Sequence, residues 1–255
     1  MSKLNNINID NKYIVRDSST SDGSQIKYHF DNKWYKIDNF GGEAETEALT
    51  SMLLECSNLD SSEYVHYQKT LINGEVGCYS EDFRTNPETD DFVTLYRLYK
   101  NIYGRDLAQT TSRMDYDDAI LYVIEFVKKN TGLDITTYLA NTFYLDEIIL
   151  NTDRHFNNYG LIISGESYSL APIFDNGKSL LTGCKFDSEA APLSEAIKKV
   201  YSKSFSPDFR LNSKFLRDHR TLMFDKDRIM DRLNKWPESI QKQVLMMQVE
   251  KLIER

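Results

Sequence analysis

The sequence predicts an α+β fold in two parts, a small strand-rich part holding one helix and then a mainly helical part. Three observations carry this. Short runs of aromatic and β-branched residues divided by turn formers fill the first 87 residues. Between two of these runs stands Asn73-Gly74, the dipeptide that best suits a two-residue hairpin. Beyond about Pro87 the apolar period changes from two to 3.6.

The first strands fall at residues 13–16, 25–30 and 33–38, divided by the polar stretch 18–23 and by Asp31-Asn32. Residues 43–55 are rich in helix formers, with Ala48, Leu49, Met52 and Leu53 at helical spacing, so one helix interrupts the strands. Residues 63–72 and 75–79 then flank Asn73-Gly74 and complete a small antiparallel sheet. Further on, Tyr116, Ala119, Ile120, Val123, Ile124 and Val127 mark one face of a helix opened by Asp115 as N-cap and closed by Gly132. A second helix is predicted over 137–150, a hairpin over 161–163 and 168–170, and two last helices over 224–234 and 237–254. Pro237 suits the first turn of the latter, and Leu245, Val249, Leu252 and Ile253 give it a face for the core. No repeat and no Gly/Ser linker intervenes, so the shift near Pro87 predicts two lobes, 1–87 and 88–255, rather than free domains.

The length, 255 residues, is enough for one sizeable core. Thirty-nine acidic against 31 basic residues leave a net charge of −8, which disfavours direct nucleic-acid binding and anionic membranes but allows a local basic pocket for a small anion. Cys56, Cys78 and Cys184 are scattered and odd in number, which argues against a disulfide framework and fits a reducing cytoplasm. Residues 1–12 hold no apolar signal core and no window approaches 18 apolar residues, so no membrane span and a cytoplasmic location are expected.

The chemistry gathers after the second predicted helix, in Asn151-Thr152-Asp153-Arg154-His155-Phe156-Asn157-Asn158. An Asp is followed five residues later by an Asn and, after the predicted hairpin, by Asp175 in Pro172-Ile173-Phe174-Asp175-Asn176-Gly177. Phosphoryl transfer asks for this order: Asp153 to orient the attacking hydroxyl, and two hard oxygen ligands, Asn158 and Asp175, to hold Mg²⁺ against ATP phosphates. The spacing from Asp153 to Asn158 matches the protein-kinase catalytic loop.

These segments resemble the HipA-like branch of serine/threonine protein kinases in a short form, and Asp153-Arg154-His155-x-x-Asn158 is also similar to the catalytic loop of phosphatidylinositol 3- and 4-kinases. The resemblance runs from about residue 15 to 210 and includes Ser204-Phe205-Ser206-Pro207. It implies a bilobal kinase-like fold with ATP and Mg²⁺ between the lobes. It also implies that Gly23, Ser24, Gln25 and Lys27 form a phosphate loop and that Lys36 holds the phosphates, with Glu47, or second Glu43, behind it. Backbone groups at Cys78, Tyr79 and Ser80 would take adenine. Ser19, Thr20 and Ser21 would be candidates for autophosphorylation, and the partners would be a protein substrate and an antitoxin.

Under this resemblance the additional amino-terminal subdomain of founding family members is expected to be missing, and Asn157 stands where many relatives have Lys, a phosphate contact that Arg154 could replace. His155 lacks the i, i+4 spacing of a zinc protease and reads as a buried, hydrogen-bonded brace of the loop; Cys78 is otherwise an ordinary core residue. Two rivals stay open. A lipid kinase fits the Asp-Arg-His-x-x-Asn match but not the acidic charge or the few cations after Asp175, Lys178 and Lys185. A nucleotide-sensing interaction module without turnover is the other.

Overall fold

A computed structural model describes residues 4–15, 25–184 and 192–253. Its first sheet is built from two tight hairpins. β1 (Asn6–Ile7) is a short edge, β2 (Lys27–Phe30) turns into β3 (Lys33–Ile37), and β4 (Gln68–Ile72) turns into β5 (Glu75–Glu81). Asp31 and Asn32 have φ of 52° and 56°, and Asn73 and Gly74 have 52° and 88°, the left-handed pairs that let a two-residue loop follow the strand twist. β3 and β5 pair antiparallel, giving the order β1-β4-β5-β3-β2, with β1 parallel to β4. At Gly77 in β5 a Cβ would collide with the carbonyl of Lys36, so only glycine lets β5 lie this close behind the strand that carries the lysine.

Between the hairpins runs α1 (Glu43–Leu54), and every one of its residues is buried, three glutamates included. A buried charge must be paired or hydrogen-bonded, and each of these has partners on at least one oxygen, Glu43 through Oε1 only. Glu43 accepts from the backbone N–H groups of Asn39 and Phe40. Glu45 accepts from Trp236 Nε1 at 2.7 Å and Lys69 Nζ at 2.8 Å, and Glu47 from Lys36 and the Asn176 N–H.

The second part opens with β6 (Asp90–Thr94), which pairs with β7 (Gly160–Ser164), itself paired with β8 (Ser167–Leu170). The helices of this part are α2 (Leu95–Tyr103), α3 (Leu107–Thr111), α4 (Tyr116–Thr131), α5 (Thr136–Ile149), α6 (Leu193–Ile197), α7 (Phe209–Phe215), α8 (Lys226–Lys235) and α9 (Ile240–Leu252). One core joins Leu49, Met52 and Leu53 of α1 to Leu145 and Ile148 of α5 and to Val244, Leu245 and Val249 of α9. Another packs α2, α4 and α5 around Tyr159 and Leu161. α1 is thus wedged between the first sheet and the carboxy-terminal helices.

Four expectations change. Residues 13–16 contribute no strand among the described residues: Asn11–Tyr13 form a 3₁₀ turn, and Ile14 makes one bridge to Tyr28. The strand expected at 63–72 starts only at Gln68, because Tyr64 bridges to Ile173 instead. Pro237 lies before α9, whose cap is Ser239 accepting from the Lys242 N–H. Asp115 precedes α4 with extended backbone but no side-chain cap bond, whereas Gly132 closes it in the left-handed region as expected. β1, β6, α3, α6 and α7 are short and escaped the sequence reading; α2 also escaped it, although Thr94 as N-cap, Leu95, Leu98 and Tyr99 on one face and Gly104 as C-cap mark it.

Candidate active site

Lys36 lies on β3, 8% exposed, with its ammonium 3.2 Å from Glu47, 2.9 Å from Asp175 and 3.3 Å from the Tyr67 hydroxyl. Burial works against this charge, but Asp175, Tyr67 and Glu47 overcome it and raise the lysine well above its usual range. Burial also pushes Asp175 up, and Lys36, helped by Lys27, overrides that and holds the carboxyl well below the ordinary carboxylate range. In Glu47 burial prevails over Lys36 and the pKa is raised. Lys36 and Asp175 are therefore the charged pair, with Glu47 as the buried second acceptor. Lys27 stands directly opposite Lys36 in the ladder, so both lysines project to one face, an arrangement that is unfavourable without nearby anions.

Asp175 has φ of 59°, a left-handed conformation that costs most side chains about 1–2 kcal/mol and that Asp tolerates. Its turn is clamped from below by Arg154, 1% exposed, which forks onto Asp146 of α5 through Nε and Nη2 at 3.0 Å. The same guanidinium donates to the carbonyl of Phe174 at 2.6 Å and to Asn176 Oδ1 at 2.5 Å. One arginine thus fastens the Asp153 loop to the Asp175 turn. Asn158 is buried, with its amide nitrogen held by the carbonyl of Asp153 at 2.9 Å, which leaves the amide oxygen as the group to offer a cation. Asp153 itself is flanked on one oxygen by Lys203 Nζ at 2.7 Å and on the other by Lys178 Nζ at 3.0 Å.

Several sequence expectations meet a different geometry. Glu43 is committed to the backbone of Asn39 and Phe40, so Glu47 alone is the helix partner of Lys36. Arg154 cannot stand in for a missing phosphate contact, because its whole fork is spent inside the core. His155 braces the loop through its backbone, donating to the Asp153 carbonyl and accepting from the Asn158 N–H, both at 2.8 Å, while its Nδ1 is buried without a hydrogen-bond partner among the described residues and burial lowers its pKa. Cys78 and Tyr79 pair with β3 and β4 on both sides, and Ser80 with Trp34, because β5 runs on to Glu81. The first residues beyond the strand are Asp82, Phe83 and Arg84. Gly23, Ser24, Ser19, Thr20 and Ser21 lie outside the described residues, as does Lys185; Gln25 is described just before β2. Lys203 was missed because nothing in its local sequence signals a partner 50 residues away.

No group of three or more His, Cys, Asp or Glu side chains gathers as a metal cage among the described residues. Mg²⁺ is commonly held by one or two carboxylates with the remaining shell from water and substrate phosphates, so an amide oxygen at Asn158 and a carboxylate at Asp175 have suitable chemistry. No helix among the described residues is long and apolar enough to cross a membrane.

No protein-family model matches the sequence, and no curated protein matches it significantly. Solved structures do match. The chain is similar to the Helicobacter pylori proinflammatory kinase CtkA, with a TM-score of 0.62 and 16% identity over 90% of this chain and 86% of that one. It is also similar to HipA from the Shewanella oneidensis toxin–antitoxin complex of HipA, HipB and operator DNA, with a TM-score of 0.54 and 11% identity over 95% of this chain and 66% of HipA. At these identities the likeness speaks to architecture, and the α+β chain, with its sheet and buried α1 against a helical second part, has the bilobal kinase-like fold that CtkA and HipA share.

Proposed function

We propose that the chain is an ATP- and Mg²⁺-dependent kinase that moves the γ-phosphate to Ser or Thr hydroxyls of a protein. The observation that carries this is buried Lys36, gripped by Glu47 and Asp175 across the two lobes. A core lysine with a surplus of carboxylates is a poor device for stability alone and a good one for docking phosphates. In this reading the lobes divide at about 87/88. Lys36 and Lys27 hold phosphates, backbone groups just beyond β5, from Asp82 to Arg84, take adenine in place of Cys78 to Ser80, and Gly23, Ser24 and Gln25 cover the phosphates. Asn158 and Asp175 hold Mg²⁺, which when bound neutralises the developing phosphate charge. Asp153 orients the acceptor hydroxyl and takes its proton as the bond from phosphorus to the leaving ADP oxygen breaks and the bond to the acceptor oxygen forms. The orphan Nδ1 of His155 costs about 1–3 kcal/mol unpaired and fits a loop built to meet a ligand.

A protein acceptor is favoured over a lipid because the Asp-Arg-His-x-x-Asn match to lipid kinases has a structural explanation: Arg154 is needed as the internal clamp. Self-phosphorylation at Ser19, Thr20 or Ser21, a cytoplasmic location, and an antitoxin-type partner like the HipB of HipA belong to the same proposal. The test is transfer from γ-labelled ATP by purified protein into a cell lysate and, side by side, into mixed lipids. Label in protein at phosphoserine or phosphothreonine is expected; label only in lipid selects the lipid kinase, and nucleotide binding without any transfer selects the sensing module.

A further inference from the structure

Asp153 is engaged on both of its carboxylate oxygens. Each of its carboxylate oxygens carries an ammonium, Lys203 at 2.7 Å on Oδ1 and Lys178 at 3.0 Å on Oδ2. An acceptor hydroxyl must come within about 3 Å of one of those oxygens to hand over its proton, so it competes there with a lysine for the carboxylate charge.

The two are not held alike. The ammonium of Lys178 lies 5.6 Å from the centre of the Phe40 ring, and the Lys178 carbonyl accepts from the N–H and hydroxyl of Thr152, beside Asp153. Lys178 therefore belongs to the loop. The Lys203 ammonium reaches Asp153, and its side chain is 42% exposed against 36% for Lys178. Its backbone, by contrast, is rigidly placed. Asn212, 3% exposed, donates to the carbonyls of Ser204 and Ser206 at 3.2 and 3.0 Å and accepts from the Ser206 N–H at 3.0 Å, while the Ser204 hydroxyl donates to the carbonyl of Arg154. A stapled turn thus delivers a long, part-exposed cation to the side of the loop that carries Asp153.

Resting on the kinase reading above, we propose that Lys203 is a γ-phosphate latch. It caps Asp153 in the empty protein, and it moves to the terminal phosphoryl oxygens when a nucleoside triphosphate binds, uncovering Oδ1 for the acceptor hydroxyl. A diphosphate, which ends one phosphoryl group short, leaves the latch on Asp153. This assigns to Lys203 the phosphate contact that neither buried Arg154 nor Asn157 supplies.

The test is equilibrium binding of ADP and of a non-hydrolysable ATP analogue, each with Mg²⁺, by calorimetry on the full chain. Lys203→Met keeps the aliphatic stem and removes the charge. It is expected to lower the preference for the triphosphate over the diphosphate about tenfold, the loss of roughly one charge-assisted hydrogen bond, and Lys203→Arg is expected to keep most of it. Lys36→Met should weaken both ligands together. A triphosphate-to-diphosphate ratio unchanged in Lys203→Met, with both ligands still bound, overturns the latch and leaves the kinase reading standing. A wild-type protein that binds neither nucleotide overturns both. A merely structural ion pair would change stability and leave the ratio where it was.

Discussion

Arg154 and Asp146 form a buried ion pair 3.0 Å apart, under the loop that presents Asp153. The pair sits at 1% and 5% side-chain exposure, and its guanidinium also reaches Phe174 and Asn176 on the turn of Asp175. The geometry of two loops that meet only in the folded protein therefore depends on one side chain.

Arg154→Ala should cost about 3–5 kcal/mol of stability, the usual penalty for leaving one buried charge uncompensated. Chemical denaturation measures it. Arg154→Met combined with Asp146→Leu should recover a good part of that loss without recovering turnover, because the two loops stay unfastened. Full activity in the double variant would show that the clamp has no part in the site.

Lys36, Asp175 and Asp153 should separate binding from chemistry. With ATP and Mg²⁺ together the melting temperature should rise more than with either alone, since phosphates complete the metal shell. Asp175→Asn should abolish the metal-dependent part of the rise. Asp153→Asn should leave it nearly intact while reducing phosphotransfer by orders of magnitude, and Lys36→Met should raise KM for ATP and lower kcat. An Asp153→Asn protein with undiminished turnover would refute the assignment of the base.

Burial holds His155 below its ordinary pKa, although Asp153 and Asp175 pull the other way and Lys203 adds to the lowering. The unfolded chain therefore takes up this proton first as the pH falls. Stability contributed by neutral His155 is present above about pH 6.5 and is lost progressively below it. Thermal melts between pH 7.5 and roughly pH 5 should show this decline, and His155→Gln should flatten it. The same slope in both proteins would remove His155 as its origin.

Incubation with ATP and Mg²⁺ should add phosphate at Ser19, Thr20 or Ser21. The added charge of about −1.5 to −2 beside bound phosphates should then weaken nucleotide affinity. Peptide mass spectrometry with Asp153→Asn as the blank decides the point; an unmodified loop in a protein that labels other substrates would dismiss self-regulation.

α1 should stay docked whether or not nucleotide is bound, because Glu45 ties it to Trp236 and Thr46 lies 2.7 Å from Thr182, oxygen to oxygen. Hydrogen exchange should find its amides among the slowest in the first lobe. Trp236→Phe removes the indole donor while keeping an aromatic ring, and it should speed that exchange and lower phosphotransfer together.

The features legible in the chain were those whose chemistry is local. Asn73-Gly74 and Asp31-Asn32 specify their hairpins through backbone preference alone, and the stripe of α4 announces a buried face at a period that any solvent would sort. The Asp153-x₄-Asn158 spacing and the lysine of β3 were legible for the same reason, as polar residues placed where apolar ones would pack better. Glu45, His155, Arg154 and Lys203 were not. Their environments come from residues up to 191 positions away, as with Glu45 and Trp236, and a carboxylate or guanidinium reads as solvent-facing until the fold shows what covers it. Burial converts those side chains into clamps and caps, because removal from water makes an unmet charge costly and so forces a partner upon it, and which partner it finds is settled only by how the helices close around the sheet.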